Sequence, residues 1–177
     1  MSCVNLISPK IMKASPIVKI VDKVFCNPKK FDIEVVNDHL FRSSEVPLER
    51  IPLLAQIGIK RVVNLRSISK KQIEKLTKEY QKYNIEFCNL PVDMFNFKKS
   101  IPDIIQLAKD KKTTLFHCTY GNHRTGGVIA IERSITEQLP MAKAIEDMYK
   151  HGFKRIHKIL LCSIKNGLNK FEKLNQS

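Results

Sequence analysis

Four short runs rich in apolar and β-branched residues alternate with helical stretches through the middle of this chain, and that order restricts the folds open to it. Residues 39–43 (HLFRS), 59–65 (IKRVVNL), 85–90 (IEFCNL) and 113–117 (TTLFH) read as strands. Residues 47–57 read as a short helix, with Pro52 tolerable in its first turn and Gly58 at its C-terminal end. Ser69 and Gln72 fit a capping box, and Ile73, Leu76, Tyr80 and Tyr83 recur behind them at helical spacing. Ser100 is placed to cap a helix over 101–109, with Pro102 in the first turn. Three further helices are predicted at about 124–138, 140–150 and 155–173. The last carries an apolar stripe of Ile156, Ile159, Leu160, Ile164, Leu168 and Phe171, read as core packing. Strands alternating with helices imply an α/β fold, with a central, mostly parallel sheet of four to five strands flanked by helices. Residues 36–177 are expected to form one domain, and residues 1–35 an N-terminal arm or edge segment of it.

In such sheets ligands bind beyond the carboxyl ends of the strands. Three polar segments fall there: the turn at Asn64, Leu65 and Arg66, the loop carrying Asp93, and the loop after residue 117. That last loop, residues 117–126 (HCTYGNHRTG), joins an apolar strand to a helix. Successive backbone N–H groups in such a turn form an anion-binding nest, and the first helical turn directs unpaired N–H groups at the same point. Gly121 allows backbone angles that other residues resist. Cys118 opens the loop and Arg124 closes it, with five residues between them. A guanidinium binds two phosphate oxygens as a planar fork. The same positive surroundings lower a thiol pKa from about 8.5 to roughly 3.5–7.5. Thr119, Tyr120, Gly121, Asn122, His123 and Arg124 are thus the expected phosphate-binding residues, around a nucleophilic Cys118.

The loop resembles the signature of the cysteine-based phosphatases, HCxxGxxR followed by Ser or Thr, at His117, Cys118, Gly121, Arg124 and Thr125. Residues 41–44 (FRSS), 57–66 (IGIKRVVNLR), 144–148 (AIEDM) and 152–153 (GF) are similar to segments of compact dual-specificity phosphatases, so the resemblance spans roughly 38–153. It implies a phosphatase-type fold and a two-step reaction through a cysteinyl-phosphate, with no metal and no cofactor. It also implies roles: His117 orients the loop, Thr125 bonds the sulfur, and an upstream acid protonates the leaving oxygen. Asp93 is the expected acid, with Asp103 and Asp110 as alternatives. Residues 123–126 (HRTG) are also similar to plant and fungal members acting on inositol pyrophosphates. Those carry lysines where Thr119 and Asn122 stand here, which weighs against a highly phosphorylated inositol.

The expected activity is therefore that of a tyrosine or dual-specificity protein phosphatase. Its alternatives are a phosphoinositide or inositol phosphate phosphatase, a phosphate-binding module with weak catalysis, and a rhodanese-like sulfur transferase. Lys plus Arg number 31 against 17 Asp plus Glu, a formal charge of +14, which attracts anionic partners. No recognition helix or aromatic-basic RNA motif accompanies that charge, so specific nucleic-acid binding ranks last. The expected partner is a phosphorylated protein, inositol or lipid, met by a monomer. The five cysteines (Cys3, Cys26, Cys88, Cys118 and Cys162) are odd in number, widely spaced and without zinc spacing, as in a reducing, cytoplasmic setting. Cys88 and Cys162 read as packing thiols, with Cys88 also weighed as a disulfide partner protecting Cys118. Apolar runs are too short for a membrane span, and residues 1–24 lack a secretory core; export without such a signal stays open. Arg42 and Arg66 are read either as anion binders or as structural ion pairs, and His39, His151 and His157 as surface or core residues.

Overall fold

The computed structural model describes residues 33–175 apart from 94, 155 and 156. The arm up to residue 32, with Cys3 and Cys26, lies outside the described residues. So do Ile156 and the side chains of Leu168 and Phe171 in the expected C-terminal stripe.

Five strands form one sheet: β1 (Ile33–Val35), β2 (Leu40–Ser43), β3 (Arg61–Asn64), β4 (Glu86–Asn89) and β5 (Thr114–His117). Their order is β1-β2-β5-β3-β4. Only the β1–β2 pair is antiparallel; β2–β5, β3–β5 and β3–β4 are parallel. The sheet is the mostly parallel one expected. Its fifth strand, β1, lies in the span read as an arm or edge segment, and Ile33 packs into the core beside Phe41 and Leu115. β5 is central, with Ser43 and Asn64 both in register with His117. The chain therefore leaves the sheet at Cys118 with a strand on either side.

Among the described residues six helices cover the faces: α1 (Ile51–Gln56), α2 (Lys70–Gln81), α3 (Ile101–Lys109), α4 (Arg124–Thr136), α5 (Met141–Lys150) and α6 (Lys158–Asn175). Side chains alternate across a strand, so each strand feeds two cores. Phe41, Val62 and Leu115 pack with Leu54 of α1 and Tyr80 of α2. Leu40, Val63 and Phe116 pack with Ile104 of α3, Val128 of α4 and Ile164 of α6. Each such buried side chain contributes about 1.5–3 kcal/mol relative to exposure. Gly127 lets α6 approach α4 closely: a Cβ there would lie 2.7 Å from Ile164 Cδ1 and 2.9 Å from Phe97 Cε2.

The capping box at Ser69 and Gln72 forms as expected. The Ser100 cap does not. A 3-10 turn (Phe97–Ser100) runs straight into α3, and Ser100 has near-helical angles (φ −85°, ψ −7°) instead of the extended ones a side-chain cap needs. Gln138, at φ 54°, ends the α4 segment two residues after Thr136. Ile159 departs from the expected stripe. Leu160 and Ile164 are buried, whereas Ile159 is 62% exposed.

One buried group on α4 makes stability depend on pH. Glu132 is buried, its Oε2 has no hydrogen-bond partner, and its Oε1 lies 3.4 Å from His39 Nε2. Burial, helped by the charge of Glu137, pushes its carboxyl up to about 7. A carboxyl raised on folding gains its proton first in the folded state, so stability rises as pH falls from about 7 through 4.5. Glu132→Gln is expected to remove that gain, worth up to about 3 kcal/mol. Denaturant unfolding of both proteins across this pH window checks it; equal pH slopes would refute it.

Candidate active site

The loop following β5 holds its carbonyl groups outward. Glu45 N donates to Thr119 O at 3.3 Å, and Arg42 Nη2 donates to Gly121 O at 2.7 Å. Asn122 O and His123 O accept from Gly126 N and Gly127 N in the first turn of α4. With the carbonyls engaged, amides turn inward. Those of Thr125, Tyr120 and Gly121 act on the Cys118 sulfur, as does the Thr125 hydroxyl. Burial alone would raise the Cys118 thiol, but these donors outweigh it and the thiol ends below its ordinary value. Thr125 is fully buried, and its hydroxyl oxygen has no directed hydrogen-bond partner among the described residues.

Gly121 is held by two constraints. Its φ is +74°, and a Cβ there would lie 2.7 Å from Ser43 O and 2.8 Å from Ser43 C. The obstacle is backbone and cannot swing aside. Gly121→Ala is expected to cost about 1–3 kcal/mol and to raise the Cys118 pKa as the loop shifts. Thermal unfolding and the pH dependence of iodoacetamide alkylation check both effects; an unchanged alkylation profile would sink the second.

His117 is 5% exposed, and its Nδ1 lies 3.4 Å from Cys118 O. Burial pushes its pKa down to about 4, against the opposing pull of that carbonyl. The imidazole is therefore neutral at neutral pH and touches backbone.

The arginines separate into two groups. Arg42 pairs with Glu34, Arg61 with Glu86 and Asp110, Arg66 with Glu45, and Arg133 with Glu137 and Asp147. Arg124 has no ion pair among the described residues, and its buried Nε has no hydrogen-bond partner. An unpaired guanidinium at the head of α4, beside an amide-lined loop, is free for an anionic ligand. Arg42 and Arg66 are thus engaged with carboxylates. Arg42 also reaches His151 O at 3.3 Å, so it ties β2 to the loop and to the end of α5.

Of the three candidate acids, Asp110 is engaged with Arg61, whose hydrogen bond lowers its pKa. Asp103 is exposed in the first turn of α3. Asp93 is exposed, and its Oδ1 accepts from Phe95 N at 2.8 Å. It lines an open groove of about 920 Å³ with Asn96, Lys98, Ser163 and Asn166; no residue of the 117–126 loop lines that groove.

Cys88 is half-buried, with its Sγ 3.3 Å from Glu86 Oε1; burial and that hydrogen bond push the thiol up to about 11. It sits on β4, level with Phe116 and two strands from β5. Strands lie about 4.8 Å apart, so the two backbones are separated by roughly 10 Å, beyond disulfide reach. The protective Cys88–Cys118 bridge is therefore not formed in this fold.

Sequence reading missed a cluster at the rim. The His123 ring packs edge-on against His157 at 4.0 Å and Phe153 at 5.5 Å between ring centroids. Burial, then the charges of His157, Lys154 and Arg124, lower the His123 pKa. No local pattern marks His157, which lies 34 positions along the chain from His123. Glu34 was also missed; it holds Arg42 at 3.3 Å and His151 Nε2 at 2.6 Å.

A central parallel strand ending in a buried, acidified cysteine, an amide-lined loop and a free arginine defines a cysteine-based phosphatase scaffold. Residues 25–160 match the family described as the DSP-PTPase phosphatase fused to NAD+ kinase, and the chain belongs to that family. No curated protein matches the sequence. Among solved structures, Tk-PTP in its active form is similar at TM-score 0.65 and 15% identity, over 77% of this chain and 96% of that one. TpbA of P. aeruginosa is similar at TM-score 0.59 and 17% identity, over 76% and 83%. The core catalytic domain of the PP-IP phosphatase SIW14 of S. cerevisiae is similar at TM-score 0.60 and 17% identity, over 81% and 92%. At these identities the structural likeness shows the fold.

Proposed function

We propose that this chain hydrolyses phosphate monoesters through a cysteinyl-phosphate, as a tyrosine or dual-specificity protein phosphatase. What carries this reading is the set of inward amides that lowers the Cys118 thiol beside an unpaired Arg124. The Cys118 sulfur attacks phosphorus, a P–S bond forms, and the P–O bond to the leaving group breaks. Asp93, the proposed acid, gives its proton to the departing oxygen. Water then attacks phosphorus, Asp93 takes a proton from it, the P–S bond breaks and inorganic phosphate leaves. Arg124 and the amides of Tyr120, Gly121 and Thr125 neutralise the equatorial oxygens throughout, with Thr119, Asn122 and His123 completing the loop. No metal is required for that neutralisation. The Thr125 hydroxyl stabilises the sulfur as it departs, and His117 holds the loop by its backbone contact.

A second reading, a phosphoinositide or inositol phosphate substrate, is favoured by the basic rim. Lys154 acts on His123 next to Arg124. TpbA has been crystallised in complex with pTyr, whereas SIW14 is a PP-IP phosphatase; both leaving groups suit this fold.

The test is phosphate release, with a chelator present, from phosphopeptides, phosphoinositides and inositol phosphates in parallel. Turnover of phosphopeptides with a trapped phosphocysteine supports the first reading, and release confined to inositol-based substrates supports the second. Binding without release from any substrate overturns both. Asp93→Asn is expected to lower kcat by about 10²–10⁴-fold on alkyl phosphates and by less on aryl phosphates, whose leaving oxygen needs its proton less. An equal loss on both would remove Asp93 from the acid role.

A further inference from the structure

Scattered apolar side chains on a protein surface are ordinary; gathered ones mark contact with something. Among the described residues the three most exposed large hydrophobic side chains are Phe95 (75%), Tyr120 (73%) and Ile159 (62%). Two of them, Phe95 and Ile159, border one opening. Phe95 and Ile159 line the open groove that also holds Asp93 and Lys98. Tyr120 stands in the loop after Cys118, and His123 of that loop packs on His157, two residues before Ile159. Phe95 and Ile159 therefore share one opening, and Tyr120 stands exposed on the loop that touches the segment before Ile159.

Exposed lysines stand on the chain segments that form this groove and its surroundings, while Lys60, Lys109 and Lys111 are exposed without an ion pair among the described residues on others. Lys98, Lys99, Lys154, Lys158 and Lys165 are exposed and make no ion pair among the described residues. Asp93 is the one carboxylate lining the groove among those residues. Several lysines elsewhere are neutralised: Lys82 by Glu79, Lys112 by Glu86, and Lys143 and Lys150 by Glu146. Helix α2 also shows lysines to solvent, but Glu74 and Glu79 interleave with them.

We propose that this rim docks on an anionic lipid bilayer, with Phe95, Tyr120 and Ile159 seated at the headgroup level and the unpaired lysines against the lipid phosphates. Aromatic rings favour that depth, and basic residues are drawn to anionic leaflets within a Debye length. A folded acidic protein would satisfy the lysines but must match the shape of the exposed apolar tips and of the open groove. An acyl layer yields to any shape. The active site then faces the membrane, whichever phosphoester it cleaves, so the inference goes beyond the hydrolytic reading and does not rest on it.

The test is co-sedimentation of the full chain with vesicles of phosphatidylcholine alone and of phosphatidylcholine with one quarter phosphatidylserine. Binding is expected to the second only and to weaken as salt rises. Phe95→Ser with Ile159→Ser is expected to lower partitioning roughly tenfold or more. Lys98→Glu and Lys158→Glu are each expected to lower it roughly fivefold. Lys71→Glu with Lys75→Glu, on α2, is expected to leave it unchanged. Ile159→Ser is expected to keep its thermal midpoint and its turnover of a soluble aryl phosphate, which separates docking from misfolding. Cys118→Ser is expected to bind vesicles as the wild type does, which separates docking from catalysis. The inference is overturned by equal binding to both vesicles, by an equal loss in the α2 variant, or by retention of an acidic polypeptide or RNA without vesicles.

Discussion

Cys118→Ser is expected to lower phosphate release by about 10⁴-fold or more while leaving the fold and phosphate-analogue binding in place. The size of the effect follows from the environment of the sulfur. Three amides and a hydroxyl lower the Cys118 thiol pKa, so the attacking thiolate is favoured over its level in an ordinary thiol. A serine hydroxyl in the same bowl has a pKa far above anything those donors can bring near neutrality, and the neighbouring His117 is no base for it. That imidazole lies against the Cys118 carbonyl. Activity should fall as pH drops through the lowered Cys118 pKa, because protonation removes the attacking anion. The check is steady-state release from an aryl phosphate, with alkylation of Cys118 followed over pH in parallel. Turnover surviving in the serine variant would end the cysteinyl-phosphate mechanism.

The second large effect is expected at Arg124. Arg124→Ala should lower kcat/KM by about 10²–10³-fold, the cost of removing one fixed donor from a developing oxyanion. Arg124→Lys should recover little of that loss. An ammonium is a point donor and cannot span two oxygens as a guanidinium does. The position is unlike the other paired arginines. Arg61 and Arg133 each hold two carboxylates and serve the fold. Arg124 is left without a carboxylate among the described residues, and its buried Nε has no bond to lose. The variants are therefore expected to unfold at the wild-type temperature, and titration with an oxyanion should show the loss as weakened binding. Full recovery by lysine would mean that charge alone, without the fork, is what the site uses.

The strand pattern made most of the sheet legible. Residues 62–63 and 115–116 are consecutive apolar pairs because β3 and β5 are covered on both faces, and such strands announce themselves. β1 was legible only as an unplaced edge segment: three residues of an edge strand carry too little periodicity to locate it, and their pairing with residues 41–43 is a tertiary fact. The loop after β5 was readable because its chemistry is local. Amides, glycine, sulfur and guanidinium lie within ten residues. What holds the loop is not local. Gly121 is tied to Arg42 across 79 positions, and His123 meets His157 through the packing of α6. Ser100 misled for a related reason: a residue suited to capping is also suited to the end of a 3-10 turn, and backbone continuity decided between them. The Ile159 position misled because helical spacing gives a face and not what covers it.

Glu34 gives the short edge strand a reach beyond its size. From β1 it grips both Arg42 and His151, and Arg42 in turn holds the Gly121 carbonyl. Trimming the chain at residue 36 would remove few contacts from the core yet cut this brace at its root. The arginine would then be buried without its counter-charge, and the Gly121 peptide would be at liberty to flip an oxygen toward the bound anion. Competence of the bowl is in that sense leased from the margin of the sheet.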